Sequence, residues 1–178
     1  MKNPQKKTVS ISKANLFSLF FIVLISVPTI LTYYFLWGNL KLEGLQIDYI
    51  SLFIFIVIIF SSILVHELIH ASVFAYFSED NWKSVKLGVL WRKLTPYAHC
   101  KAPLLAKHYK LAVIMPGIIL GVIPIVLAIS IESLLLLYYG LFMIMSAAGD
   151  FMIFVLLLKI PKSKKILDHE SEMGFYII

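Results

Sequence analysis

A chain of 178 residues that is 60% hydrophobic and 15% charged, with a mean hydropathy of +0.89, lies outside the range of water-soluble domains and reads as a multi-pass membrane protein. The formal net charge of +6 comes from lysines and arginines beside hydrophobic segments; they form no stripe interleaved with aromatics, so no nucleic-acid partner is expected. One cysteine, Cys100, excludes an internal disulfide framework.

The first apolar run covers residues 14–37. Lys2, Lys6, Lys7 and Lys13 precede it as they would a signal peptide, but the run is too long and has no Ala-x-Ala-type cleavage site, so a retained span is expected. Further runs cover residues 48–77, 109–131 and 133–158. Each exceeds the roughly 20 residues that cross the hydrocarbon core of a bilayer. Within the loop 79–108, Val85, Leu87, Val89 and Trp91 alternate with Lys86, Gly88 and Leu90, which predicts a short strand; the run from Leu94 to Cys100 can pair with it as a β-hairpin. In the third run, Pro116, Gly117, Gly121 and Pro124 predict a kink or an unwound turn, with ordinary helix packing as the alternative. The tail 159–178 ends in an apolar stretch, Gly174 to Ile178, suited either to the hairpin's edge or to the membrane surface. The expected fold is an all-α membrane protein: one membrane-embedded domain, residues 1–178, with four transmembrane helices and a cytoplasmic loop carrying the hairpin.

Basic residues set the orientation. They cluster before the first span, in the middle loop (Lys83, Lys86, Arg92, Lys93, Lys101, Lys107, Lys110) and after the last span (Lys159, Lys162, Lys164, Lys165), whereas the connections bearing Glu43, Asp48 and Glu132 hold only Lys41. The positive-inside rule then places both termini and the middle loop in the cytoplasm of a cell-membrane protein. Spans two and four run in the same direction.

Against this apolar background, span two contains His66-Glu67-Leu68-Ile69-His70. On a helix, positions i and i+4 share a face, so two imidazoles can bind one Zn2+ while the intervening Glu67 acts as general base on water. Span four holds one ionisable residue, Asp150, nine positions before Lys159; His70 lies nine positions before Glu79. At about 1.5 Å of rise per residue both sit roughly 13 Å from the cytoplasmic helix end, which makes Asp150 the candidate third ligand. The small residues Ser146-Ala147-Ala148-Gly149 beside it permit close helix approach. His99, Cys100, His108 and His169 are chemically able to bind zinc, but a basic loop favours surface or strand roles for His99 and Cys100, and His108 beside Lys107 reads as interfacial.

Taken together, His66-Glu67-Leu68-Ile69-His70-Ala71, the segment Pro96-Tyr97-Ala98-His99-Cys100, Met115-Pro116-Gly117 and Gly149-Asp150 resemble the putative zincin peptidases, small bacterial membrane proteins similar in outline to the site-2 proteases. The resemblance implies His66, His70 and Asp150 as zinc ligands and Glu67 as catalytic base. It departs from the site-2 pattern at Phe151, where those proteases carry glycine after the aspartate.

The leading expectation is thus an intramembrane zinc metalloendopeptidase that cuts a membrane-embedded or juxtamembrane peptide near the cytoplasmic face. A helical substrate hides its amides, so the scissile segment must be held extended; an edge strand beside the metal would do this, with Val85, Leu87, Val89 and His99 as candidate substrate-binding residues. The expected partners are a membrane protein or peptide substrate and the lipid bilayer; the sequence does not specify an oligomeric state. The alternatives are a non-hydrolytic metal-binding membrane protein, either carrier or sensor, and a structural helical bundle whose polar residues are packing glue.

Overall fold

The structure, a computed structural model, describes residues 4–38, 40, 48–91, 95–170 and 172–178. Lys2, Lys41, Glu43, Arg92, Lys93 and Leu94, used above for orientation and for the second strand, lie outside those residues.

Three helical rods are long and apolar enough to cross a membrane, and a fourth is if its two bent halves count as one. The first two are α1 (Ile11–Trp37) and α2 (Tyr49–Phe77). Asp48 caps α2 by accepting the Ser51 N–H at 2.7 Å, a bond that also holds its carboxyl below the usual range. Gly38 ends α1 at φ +74°, where its N–H returns to the Tyr34 carbonyl at 2.8 Å. Most Leu, Ile, Val and Phe side chains of α1 and α2 stay exposed, as a lipid-facing surface requires.

The third rod is α3 (Ala106–Pro116), a π-helical stretch (Gly117–Val122) and α4 (Ile123–Ser130) in succession. The interruption falls where Pro116, Gly117, Gly121 and Pro124 lie. Neither proline can donate to the helical ladder, and the widened turns absorb the missing bonds. The fourth apolar run breaks at Ala147 into α5 (Leu134–Ser146) and α6 (Ala148–Leu158), bent by 55°.

Glycines bring these last two rods together. A Cβ on Gly121 would meet the Ile144 side chain at 2.7 Å, and one on Gly140 would meet the Gly121 carbonyl and the Ile125 amide at 3.0 Å each. Tyr33, Ile125, Leu137, Leu141 and Ile144 form a core between α1, α4 and α5. A second core, with Phe74, Tyr109, Leu157, Ile166 and Phe175, lies at the other end of the helices beneath the strands.

The all-α expectation holds for the spans and is corrected outside them. The strands are β1 (Gln5–Thr8), β2 (Val85–Leu90), β3 (Thr95–Cys100), β4 (Leu104–Leu105), β5 (Lys165–Asp168) and β6 (Gly174–Ile177). β2 and β3 form the expected antiparallel hairpin, with Val85 opposite Cys100 and Leu87 opposite Ala98. The others make a second antiparallel sheet in the order β1-β6-β5-β4. The tail thus pairs with the N-terminal segment and with β4, not with the hairpin. Strands of two to four residues carry too little alternation to be read from sequence, and β1 meets β6 across nearly the whole chain.

Gly174 closes this sheet. At φ +155°, it lies so near β1 that an added Cβ would collide with the Lys7 carbonyl and the Thr8 backbone. Gly174→Ala is therefore expected to weaken the β1–β6 pairing by about 1–3 kcal/mol. Faster tryptic cleavage at Lys6 and Lys7 in folded protein would register the loss; unchanged protection would contradict it.

Candidate metal centre

His66 and His70 are one helical turn apart on the buried face of α2. Their rings lie 4.9 Å apart, centroid to centroid. Across from them, Asp150 occupies the first turn of α6, because the 55° bend at Ala147 begins a new helix there. A carboxylate in a first helical turn is favoured by the unpaired amides and the helix dipole. Asp150 Oδ2 lies 2.9 Å from His66 Nε2, and Oδ1 lies 3.4 Å from His70 Nε2. One ligand atom from each residue falls within 4.8 Å of the other two.

This donor set suits zinc. Two imidazoles and a carboxylate are common zinc ligands, and bonds of about 2.0–2.1 Å in tetrahedral array place ligand atoms roughly 3.3 Å apart, close to the 2.9 and 3.4 Å from Asp150 to the two imidazoles. His70 has a fixed tautomer. Its Nδ1–H donates to the Ala112 carbonyl at 2.8 Å, which turns Nε2 toward Asp150 and the centre, where it would serve as the ligand atom. His66 Nδ1 is buried and makes no hydrogen bond among the described residues, so packing and Asp150 alone orient that ring.

The Ala112 carbonyl is free to accept because of Pro116. In an α-helix that carbonyl would bond to the amide four residues later, and proline has none. The helix break foreseen at Pro116 thus supplies the outer partner of a metal ligand, a role that sequence reasoning missed. The signal was present: a proline in the third span four residues after a small residue facing the histidines. Pro116→Ala restores a competing N–H and is expected to weaken metal binding about 10–100-fold. Zinc competition titration of the purified variant measures this; unchanged affinity would show that His70 needs no such partner.

Glu67 lies on α2 between the two histidines and lines the same cavity, of about 350 Å³. Its carboxylate rests against the backbone amide of Ala98 on β3. The edge of β3 turned toward the site therefore presents few donors: the Ala98 N–H faces Glu67, the Cys100 N–H is taken by Asp168 Oδ2 at 3.2 Å, and Pro96 has no N–H.

Of the four residues expected to bind substrate, His99 lines the cavity, whereas Val85, Leu87 and Val89 belong to β2, the strand farther from it. Another wall of the cavity comes from the tail, at Asp168, His169, Glu170, Glu172 and Met173. Sequence reasoning left the tail's position open and did not anticipate this. Lys6 anchors the tail turn through Glu172 at 2.7 Å, raising its own pKa and lowering that of the carboxyl.

Of the rival ligands, His99 and His169 line the cavity but stand outside the group formed by His66, His70 and Asp150, and Cys100 and His108 lie away from it. Cys100 is buried in the core beneath the strands, where its thiol contacts Ser78 Oγ at 3.6 Å and the Ala102 carbonyl at 3.3 Å; burial pushes its pKa up, away from the thiolate that zinc requires. His108 stacks on Phe77 at 4.0 Å, and His169 stacks on Tyr176 at 5.0 Å.

A family model described as putative zincin peptidase matches residues 58–165, more than half of the chain. No curated protein and no solved structure matches it.

Proposed function

This chain belongs to the family of putative zincin peptidases, and on that premise we propose that it is an intramembrane zinc metalloendopeptidase. It hydrolyses a peptide bond of a membrane-embedded or juxtamembrane substrate near the cytoplasmic face. The observation that carries this reading is the convergence of His66, His70 and Asp150 within 4.8 Å, with Glu67 beside them on the wall of one cavity.

His66, His70 and Asp150 would hold the ion. Zinc bound there supplies Lewis acidity, bringing the pKa of water toward about 7 and polarising a carbonyl. Glu67 takes a proton from water on its carboxylate and later delivers it to the leaving amine. The bond from His70 Nδ1 to Ala112 keeps that imidazole oriented, with Nε2 toward the site. Because Pro96 and Asp168 remove the donors on either side and Glu67 faces the Ala98 N–H, the β3 edge offers the Ala98 carbonyl as the acceptor against which one extended substrate residue pairs. Val85, Leu87 and Val89 support β3 from behind, and His99 meets the substrate from the cavity wall.

The membrane setting follows from the apolar helices, and the orientation from charge. Both termini and the strands lie on the cytoplasmic side of the cell membrane, where Lys83, Lys86, Lys101, Lys107, Lys159, Lys162 and Lys164 gather; Asp48 and Glu132 mark the other side. The cavity is walled by β3 and the tail as well as by the helices, which gives water a route to the centre without crossing lipid.

Comparison of membrane peptides from cells carrying wild-type protein and the Glu67→Gln variant tests the proposal. Accumulation of an uncut species in the variant supports it; identical peptide profiles, with both proteins present at equal amount, would contradict it.

A further inference from the structure

Away from the metal centre, at the strand-bearing end of the helices, lies a second and larger cavity, of about 620 Å³. One of its walls is a face of the four-stranded sheet. Alternation along β1 sends Gln5 and Lys7 to this side, opposite Ile177 and Phe175 of β6, while Lys6 turns the other way to Glu172. The other wall is the end of α6, where Leu156 gives way to Lys159 and Ile160, with Lys164 following. Pairing of β1 with β6 thus brings Lys7 from the far end of the chain to Lys159 and Lys164, and no acidic side chain lines the cavity. None of the three lysines makes an ion pair among the described residues. Even with the Ile178 carboxylate counted, the cavity is positively charged.

We propose that this cavity binds one anionic phospholipid from the leaflet on the strands' side, its phosphate held by Lys7, Lys159 and Lys164 and its glycerol and first acyl carbons by the apolar wall. The site is independent of the metallopeptidase reading and needs only that the helices cross a bilayer. Depth selects a lipid over a soluble anion. α6 ends at Leu158, whose side chain is exposed, and Lys159 follows at once, so the cavity straddles the level at which hydrocarbon gives way to headgroups. Composition points the same way. A site for free phosphate has no use for Leu156, Ile160 and Ile177, which a phospholipid covers with its own carbon while its charge meets the lysines. Ammonium groups act as point charges, with none of the fixed fork that arginine offers, so the site reads the negative charge of the headgroup and not its shape.

The test titrates full-length protein in detergent micelles with dioleoyl-phosphatidylglycerol or dioleoyl-phosphatidylcholine and reads the bound lipid by native mass spectrometry. One phosphatidylglycerol per chain is expected to bind about 10²-fold more tightly than phosphatidylcholine. Lys7→Gln, Lys159→Gln and Lys164→Gln combined reduce that preference to about threefold or less, whereas the three arginine counterparts, which keep the charge, retain it. Removing as many charges from the hairpin side, by Lys83→Gln, Lys86→Gln and Lys101→Gln, leaves the preference within about threefold of wild type. Glycerol 3-phosphate, which carries the phosphate without acyl chains, fails to displace the lipid at about a hundredfold excess. Four results would overturn the proposal: equal affinity for the two lipids, an equal loss in the hairpin-side variant, a loss in the arginine variant as large as in the glutamine one, or displacement by glycerol 3-phosphate. The last of these would make the cavity a site for soluble phosphates.

Discussion

Glu67→Gln protein is expected to bind zinc at wild-type stoichiometry and to lose about 10²–10⁴-fold in peptide turnover. The carboxylate is absent from the cluster formed by His66, His70 and Asp150, so removing its charge leaves the three ligand atoms in place. What disappears is the proton acceptor on the cavity wall. Glutamine can still accept from the Ala98 amide, which keeps the contact between α2 and β3 and separates a chemical loss from a structural one. Single-turnover cleavage with metal analysis of the same sample measures both. A variant that retained turnover would remove Glu67 from the mechanism; one that lost zinc would make it a ligand.

Asp150→Ala is expected to have the largest effect on metal binding. Among the described residues Asp150 alone reaches both imidazoles, at 2.9 and 3.4 Å, and it supplies the only negative charge among the three ligands. A dication held by two neutral imidazoles in an apolar bundle would be poorly compensated. Stoichiometric zinc and cleavage should both fall to background. Zinc at a thousandfold excess over Kd stabilises a protein that binds it only when folded by about 4 kcal/mol. Thermal unfolding in detergent should therefore rise with zinc for wild type and stay unchanged for the variant. A variant with an undiminished zinc-dependent shift would mean that the ion sits elsewhere.

The parts of this molecule most readable in advance are those whose signal is local. The i, i+4 pair His66 and His70 needs only helical geometry, and the alternation through Val85, Leu87 and Val89 marks β2 within a few residues. The match in depth between His70 and Asp150 brought together two residues far apart in sequence, because a bilayer fixes height along parallel spans. What could not be read depends on distant partners. The bend at Ala147 was present only as a run of small residues, which equally suits close packing. β1 and β6 are four residues each and gain their stability from pairing, so neither declares itself. The same holds for Asp168: an aspartate in a short polar tail became a buried node only when β5 folded back on Tyr109 and His99.

Zinc-edge X-ray absorption of wild-type protein in lipid vesicles tests the central claim most directly. The account predicts one zinc per chain, two imidazole nitrogens and at least one carboxylate oxygen at about 2.0–2.2 Å, and no sulfur. Fewer than two imidazoles, a sulfur neighbour at about 2.3 Å pointing to Cys100, or protein that holds no stoichiometric zinc would contradict it.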